Sequence, residues 1–402
     1  MTVRTVLLAF LAAAAGLAAG LLLMSGLVGD PGISDTPVYQ AYGERIANGG
    51  VPYRDFEVEY PPAALIPFVL PALVSSAQGR YESSFEALMV FALAAVCALI
   101  VIALQALPAS PVRVAFAVCA FLVGASLLGQ FILTRFDLYA AALTLAAVCA
   151  ILHRRATLGP VLLGAAIATK IYPAVVLPLL VARAWKKGGP SAALRTLGLT
   201  IGTTVLLYLP FALLAPEGVA RSVWRQFGRP LQIESLGSGV LLALHNVVGL
   251  PLGWASGSGS QNLTGTVAGV TSGVTTIVGL AALALVWVRY ARGDTEGTAR
   301  FAQYAAAAAS AFVAFSKVLS PQFLVWLIAI VVIVSGLRGV IATTLLLAAC
   351  ALTRMWFPRH YWDLVRQFDP TESSLVLVRD LALVALFAAL VVRVRAREPA
   401  PV

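Results

Sequence analysis

Residues 5–28 run through Leu, Ala, Val and Gly without one charged side chain, and runs of the same kind recur along the chain. A helix of about twenty apolar residues matches the roughly 30 Å hydrocarbon thickness of a bilayer. Of the 402 residues, 60% are apolar and 11% charged, and the mean hydropathy is +0.90, more oil than a water-soluble globule can hide. About twelve such spans would use the apolar complement. The expected fold class is an all-α polytopic membrane protein, a single integral domain over 1–402 with a bundle of about 12 transmembrane helices. Spans are expected near 5–28, 84–107, 114–131, 137–152, 196–214, 263–288, 301–318, 322–337, 339–356 and 374–392. The first run is too long for a signal-peptide core and lacks a clean cleavage pattern, so it reads as a retained helix.

Cys97, Cys119, Cys149 and Cys350 all fall in apolar runs without metal-ligand spacing, which reads as four core thiols, with neither a zinc site nor a disulfide framework. The net charge of +10 has no contiguous basic stripe behind it, which argues against nucleic acid as a partner. Topology accounts for it. With the N-terminus inside, fifteen basic residues, among them Arg4, Arg113, Arg154, Arg155, Arg183, Arg393, Arg395 and Arg397, share the inner side with three acids, Asp294, Glu296 and Glu398. Thirteen basic and fifteen acidic residues remain for the outer side. The positive-inside rule then sets both termini in the cytoplasm. Inner connections are short, and the outer face carries the long stretches 29–83, 215–262 and 357–373, where sites are usually built.

The first outer loop is the richest. In SDTPVYQAYGERIANGG, Thr36 suits an N-cap, Pro37 a first helical position and Asn48-Gly49-Gly50 a C-cap, which predicts a helix over 37–47 with Val38, Tyr39, Tyr42 and Ile46 on one apolar face, lying on the membrane surface. Asp35 just precedes it, and either complements the helix dipole or serves chemistry. After the acidic stretch holding Asp55, Glu57 and Glu59, the proline pair following Tyr60 opens a segment, 63–74, too short to span. A second short hairpin surrounds Lys170, with basic ends and limbs of about ten residues, roughly 15 Å of helix. That sets an ammonium at depth, where it needs a structural partner such as Asp137 or a first-loop acid, or a functional one. Arg135, Asp137, Arg225, Arg229, Glu234, Lys317, Arg354, Arg359 and His360 gather at outer helix ends, a cation-rich set suited to a phosphate. His245, in LLALHNVVG, reads as a hydrogen-bonded packing residue.

The series SDTPVYQAYGERIANGGVPYRDFEVEYPP, TRFDLY, TKIYP, Gln232-Ile233-Glu234-Ser235 and LSPQFLVW resembles the bacterial members of glycosyltransferase family 87, over about residues 1–340. The resemblance implies a C-type glycosyltransferase-like bundle with short re-entrant or interfacial helices in the outer loops, in the bacterial inner membrane. It also implies a polyprenyl-phosphate sugar donor, often of mannose, and Asp35 in the catalytic position. Lys170, Lys317, Arg229 and Arg225 are then expected on the donor phosphate. Asp55, Glu59, Tyr60, Arg135, Asp137, Tyr172, Glu234, Gln322 and His360 are expected to bind or support sugar and acceptor. The mannosyltransferase branch carries His residues shortly after the Ser-Pro, whereas this chain has Gln322-Phe323.

The chemistry follows without the name. An outward-facing transferase has no nucleotide-sugar supply, and the sequence has no P-loop or Rossmann fingerprint, so the donor is expected on lipid. One carboxylate can serve as general base while cations stabilise the departing phosphate, a direct displacement with inversion. The acceptor is a lipid or glycan hydroxyl; membrane lipids are the surrounding partner, and neither cofactor nor metal is expected. The rival class is a transporter or lipid flippase, against which stands the lack of a convincing repeat between the halves.

Overall fold

The computed structural model describes residues 2–27, 32–75 and 77–392. Arg393, Arg395, Arg397 and Glu398, part of the inner charge expected from sequence, lie outside them. The chain opens with α1 (Val3–Met24), then α2 (Thr36–Ala47), the short α3 (Ile66–Val74), α4 (Gln78–Gln105) and α5 (Pro111–Leu128). A hairpin of α6 (Asp137–Leu152) and α7 (Leu158–Thr169) leads into α8 (Leu177–Leu214), which loses helical geometry at Gly188 and Gly189. Next come α9 (Pro216–Phe227), α10 (Leu236–Val248), the hairpin β1 (Gly253–Gly257) and β2 (Ser260–Thr264), and α11 (Thr266–Ala291). The last third holds α12 (Thr298–Ala314), α13 (Phe323–Val331), α14 (Gly336–Trp356), α15 (Tyr361–Gln367) and α16 (Pro370–Val391).

Among the described residues, seven helical stretches are long and apolar enough to cross a bilayer: α1, α4, α5, the stretch carrying α8, α11, α14 and α16. Lipid offers no hydrophobic drive for pairing, so close packing has to come from small residues. α1 shows this: Ala9, Ala12, Gly16 and Gly20 are buried on one face, and a Cβ on Gly16 would stand 2.8 Å from Ala94 Cα of α4. α12 does the same at the centre with its run of buried alanines, on which α11, α13 and α16 pack.

Some expected spans are shorter. The helix expected over 322–337 covers only nine residues, because the Val332 and Val334 carbonyls accept from Arg113 of α5, at 2.5 and 2.7 Å, and Gly336 takes φ +73° to start α14. The segment expected to be too short to span is so, as α3 after a 3-10 turn, and α2 lays its apolar face on it: Tyr39 stacks on Phe68 with centroids 4.2 Å apart, while Val38 stays exposed. The first helical turn begins at Thr36 instead of Pro37, so Asp35 holds the N-cap position. Cys97, Cys149 and Cys350 are buried as expected; Cys119 departs from that, lying exposed on α5. His245 accepts its packing role, with Nδ1 2.7 Å from the Leu250 carbonyl.

The hairpin was not foreseen in an all-α chain. Its two-residue turn, Ser258-Gly259, has positive φ at both positions (+54° and +68°), the geometry that matches strand twist. Beyond pairing with itself, it clamps the preceding loop, since Ile233 N–H donates to the Gln261 carbonyl at 3.0 Å and Leu263 N–H to the Leu231 carbonyl at 2.9 Å.

Candidate active site

The starts of α2, α6, α10 and α13, the end of α7 and the α14–α15 connection bring their polar residues towards one end of the bundle. Asp35 there makes no cap bond to its own helix. Its Oδ2 instead takes the Arg135 guanidinium as an ion pair and a hydrogen bond from Tyr39 Oη at 3.3 Å. Arg135 is buried and also donates to the Ile33 carbonyl, whereas the Asp35 side chain keeps 32% exposure. A carboxylate held from behind and open in front is oriented as a base has to be. The field at Arg135 also includes Asp137, Glu234 and Tyr361, which puts three segments of the chain around one cation.

Lys170 ends α7 in extended conformation and reaches Asp137, the first residue of α6, at 2.6 Å. Asp137 is 2% exposed and also accepts from Trp326 Nε1 at 2.7 Å. The ammonium faces the rings of Phe136, Trp326 and Phe323 at 4.3, 4.9 and 5.6 Å. Tyr172 stacks on Trp326 with centroids 4.2 Å apart and donates to Thr144, so it walls this box and is buried. Of the partners open to Lys170 from sequence, Asp137 is the one found.

A third group hangs on the hairpin clamp. Gln232 Nε2 donates to Glu234 Oε2 and, at 2.8 Å, to Ser320 of the Ser-Pro element. Burial pushes the Glu234 carboxyl up to about 7, against the pull of Arg379 and Arg135. Beside it, Arg229 donates to the Ser258 carbonyl and Ser260 hydroxyl at 2.8 and 3.0 Å, and Lys317 to the Phe227 carbonyl at 2.8 Å. Burial and mutual repulsion lower the basicity of Lys317, and the Arg229 charge is felt at Lys170 as well. Unlike Arg135 and Lys170, these two cations have no carboxylate at ion-pair distance among the described residues; their bonds go to neutral oxygens.

The remaining expected residues are spread around this centre. Arg225 pairs with Glu57 at 2.8 Å, at a 210 Å³ cleft also lined by Arg54, Asp55 and Arg221. Asp55 is turned to its own loop, where the Arg54 guanidinium and the Val51 N–H hold its carboxyl down at about 2. Tyr60 meets Phe136 edge-on at 5.1 Å, joining the first loop to the Lys170 box. Glu59 is half-buried beside the hairpin turn, its carbonyl accepting from Gln226. Gln322 is half-buried at the N-cap of α13. His360 is exposed, 3.1 Å from Asp363, and with Glu372 these ligand atoms lie within 4.8 Å of one another.

The arrangement sets an oriented, accessible carboxylate with two neighbouring cations that have no carboxylate at ion-pair distance among the described residues, Arg229 feeling Glu59 and Glu234 from further off, behind a frame contributed by most of the chain. The sequence model of glycosyltransferase family 87 matches residues 59–321, more than half of the chain. The protein belongs to glycosyltransferase family 87. Among curated proteins, none matches it. Membership makes this chain a glycosyltransferase and sets the transporter or flippase reading aside. The matched stretch of this family 87 transferase includes Lys170, Arg229, Glu234 and Lys317, while Asp35 precedes it.

Sequence reasoning missed the floor of this site. Arg379 and Asp380 of α16 are fully buried, meet at 2.6 Å, and Arg379 donates to the Glu234 carbonyl at 2.7 Å. A signal existed: an adjacent Arg-Asp inside the apolar run 374–392 is costly in a bilayer unless it has work there. Trp326 was missed too, since an aromatic in an apolar run looks like any core residue.

Proposed function

We propose that this transferase moves a hexosyl group, mannose in the first instance, from a polyprenyl-phosphate donor to the hydroxyl of a lipid or glycan acceptor on the extracytoplasmic face of the cell membrane. The observation that carries the reading is the Lys317–Arg229 pair, two neighbouring cations hydrogen-bonded to neutral oxygens, of which Arg229 also feels Glu59 and lies in the field of Lys170. Like charges held together are stabilised by a shared anion, and phosphate oxygens suit both a guanidinium fork and a point-like ammonium. Lys170, answered by Asp137 at rest, adds its charge from behind. Arg225, engaged with Glu57 at the outer cleft, stands at the approach to the site.

Asp35 acts as general base. It takes the acceptor hydroxyl proton as that oxygen forms its bond to the anomeric carbon; the bond from that carbon to phosphate oxygen breaks, and its electron pair leaves with the phosphate. Phosphate is a weakly basic leaving group, so cations beside it can replace the acid that glycosidases use, and direct displacement inverts the anomeric centre. Arg135 and Tyr39 orient the base. Asp137 and Tyr172 frame Lys170, and Glu59, Tyr60, Glu234, Gln322 and His360 line or support the sugar and acceptor side. Purified protein given radiolabelled polyprenyl-phosphate sugars and a native lipid extract tests this. Transfer from one of them with inversion is expected; transfer only from a nucleotide sugar would refute the donor assignment.

A further inference from the structure

Arg379 lies nine residues into α16, roughly 14 Å below its outer end at 1.5 Å per residue, near the middle of a bilayer. Neither Arg379 nor Asp380 is exposed; they meet as a salt bridge, Nε to Oδ1 at 2.6 Å, and among the described residues no further group hydrogen-bonds the Asp380 oxygens. Such a pair destabilises a fold relative to apolar residues of like size, so a bilayer protein that keeps one calls for a reason. Beyond the pair itself, Arg379 Nη2 holds the carbonyl of Glu234 at 2.7 Å, which ties it to the site. The neighbouring packing brings the two close, since a Cβ on Gly239 of α10 would stand 3.3 Å from Leu377 Cα, and Ser235 caps α10 directly after Glu234. Above the carbonyl, Gln232 Oε1 and Glu234 Oε1 are buried acceptors without a partner among the described residues.

We infer that Arg379, with Asp380 beside it, is a positioning residue of the transferase: it fixes the Glu234 segment from inside the membrane so that the free oxygens of Gln232 and Glu234 accept hydroxyl groups of the transferred sugar. This rests on the sugar-transfer reading above for the ligand, though not for the anchoring. A buried acceptor without a partner discriminates strongly, because a sugar lacking the matching hydroxyl leaves it unbonded. Glu234 accepts best when ionised. The charges that bear on it are Arg379 and Asp380 from α16 and Arg135 ahead of α6; Tyr361 of α15 and Arg229 of its own loop feel it in turn. Among these, Arg379 does most to keep the carboxylate charged against burial.

The test replaces the pair by Arg379→Met with Asp380→Met, a swap that removes both charges together and keeps the helix apolar. The first measurement needs no substrate: the carboxyl stretching band that vanishes in Glu234→Gln is titrated by infrared spectroscopy in the resting protein. Its midpoint is expected to rise by about one pH unit in the double variant and to return towards the wild-type value in Arg379→Lys. The second measurement compares transfer from polyprenyl-phosphate mannose with its monodeoxy analogues. Wild-type protein is expected to reject at least one analogue about a hundredfold and the double variant to lose most of that discrimination. An unmoved midpoint overturns the anchoring whatever the sugar. A moved midpoint with discrimination intact overturns the hydroxyl-reading role. If wild-type protein transfers none of these sugars, the donor reading fails, and the titration still decides whether Arg379 governs Glu234.

Discussion

Lys170→Met should be the most damaging single change at this end of the bundle. The substitution keeps length and apolar stem and leaves Asp137, 2% exposed, with one hydrogen-bond donor among the described residues, Trp326 Nε1 at 2.7 Å, and the more distant charge of Arg135. Removing one member of a buried pair costs about 3–5 kcal/mol, because the surviving charge is stranded. Asp137→Asn should cost less. It strands an ammonium that keeps 16% exposure and faces three aromatic rings, and cation–π attraction returns about 0.5–2 kcal/mol. The double variant Lys170→Met with Asp137→Leu should approach wild-type stability, since apolar replacement of a whole buried pair is often neutral. Thermal unfolding in detergent, followed by the fraction that still elutes as a folded monodisperse peak, reads all three. The expected order of loss is Lys170→Met, then Asp137→Asn, then the double variant. The reasoning is refuted if Lys170→Met elutes like wild type, or if the double variant is the worst of the three. Donor adds a functional arm: a polyprenyl phosphate at a hundredfold its dissociation constant stabilises the protein by about 2.7 kcal/mol, and the double variant should lose part of that gain.

Three further outcomes are expected. Asp35→Asn should lower turnover by about a hundred- to ten-thousandfold while the protein stays folded and donor-bound, as measured by initial rates and donor titration; near wild-type rates would move the base to another carboxylate. Arg229→Gln and Lys317→Gln should each weaken donor binding by about ten- to a hundredfold, the worth of a charge-assisted hydrogen bond, and the loss should be read as a raised dissociation constant for polyprenyl phosphate; unchanged binding in both would place the phosphate elsewhere. A cysteine placed at position 55 on a Cys-free background should react with an impermeant thiol reagent from the outside, and labelling only after permeabilisation would invert the topology.

Much of the candidate site is legible one residue at a time. Lys170 was marked by charge in a segment too short to surface, and Asp35 by its place before a helix and within the family pattern. The helix boundaries at Thr36 and Val331 were not, because a cap competes with every other partner its side chain can find: Asp35 turned to Arg135, and Val332 and Val334 gave their carbonyls to Arg113. Nor could single residues tell which cations were already answered. Arg225 and Lys317 carry the same expectation in the sequence, yet the first faces a carboxylate and the second donates to a carbonyl.

Hydropathy is a local property, so the sequence alone settles that the chain is a helical membrane protein and roughly where its long apolar helices lie, and it points to the polar segments between them as the candidate site. Which polar groups meet is not local. Asp35 with Arg135, Asp137 with Trp326, and Glu234 with Arg379 are joined across about one hundred to almost two hundred residues of chain. Those meetings were decided by small-residue faces that let particular helices touch, and by the need of each buried charge for a partner where no water is available to replace it.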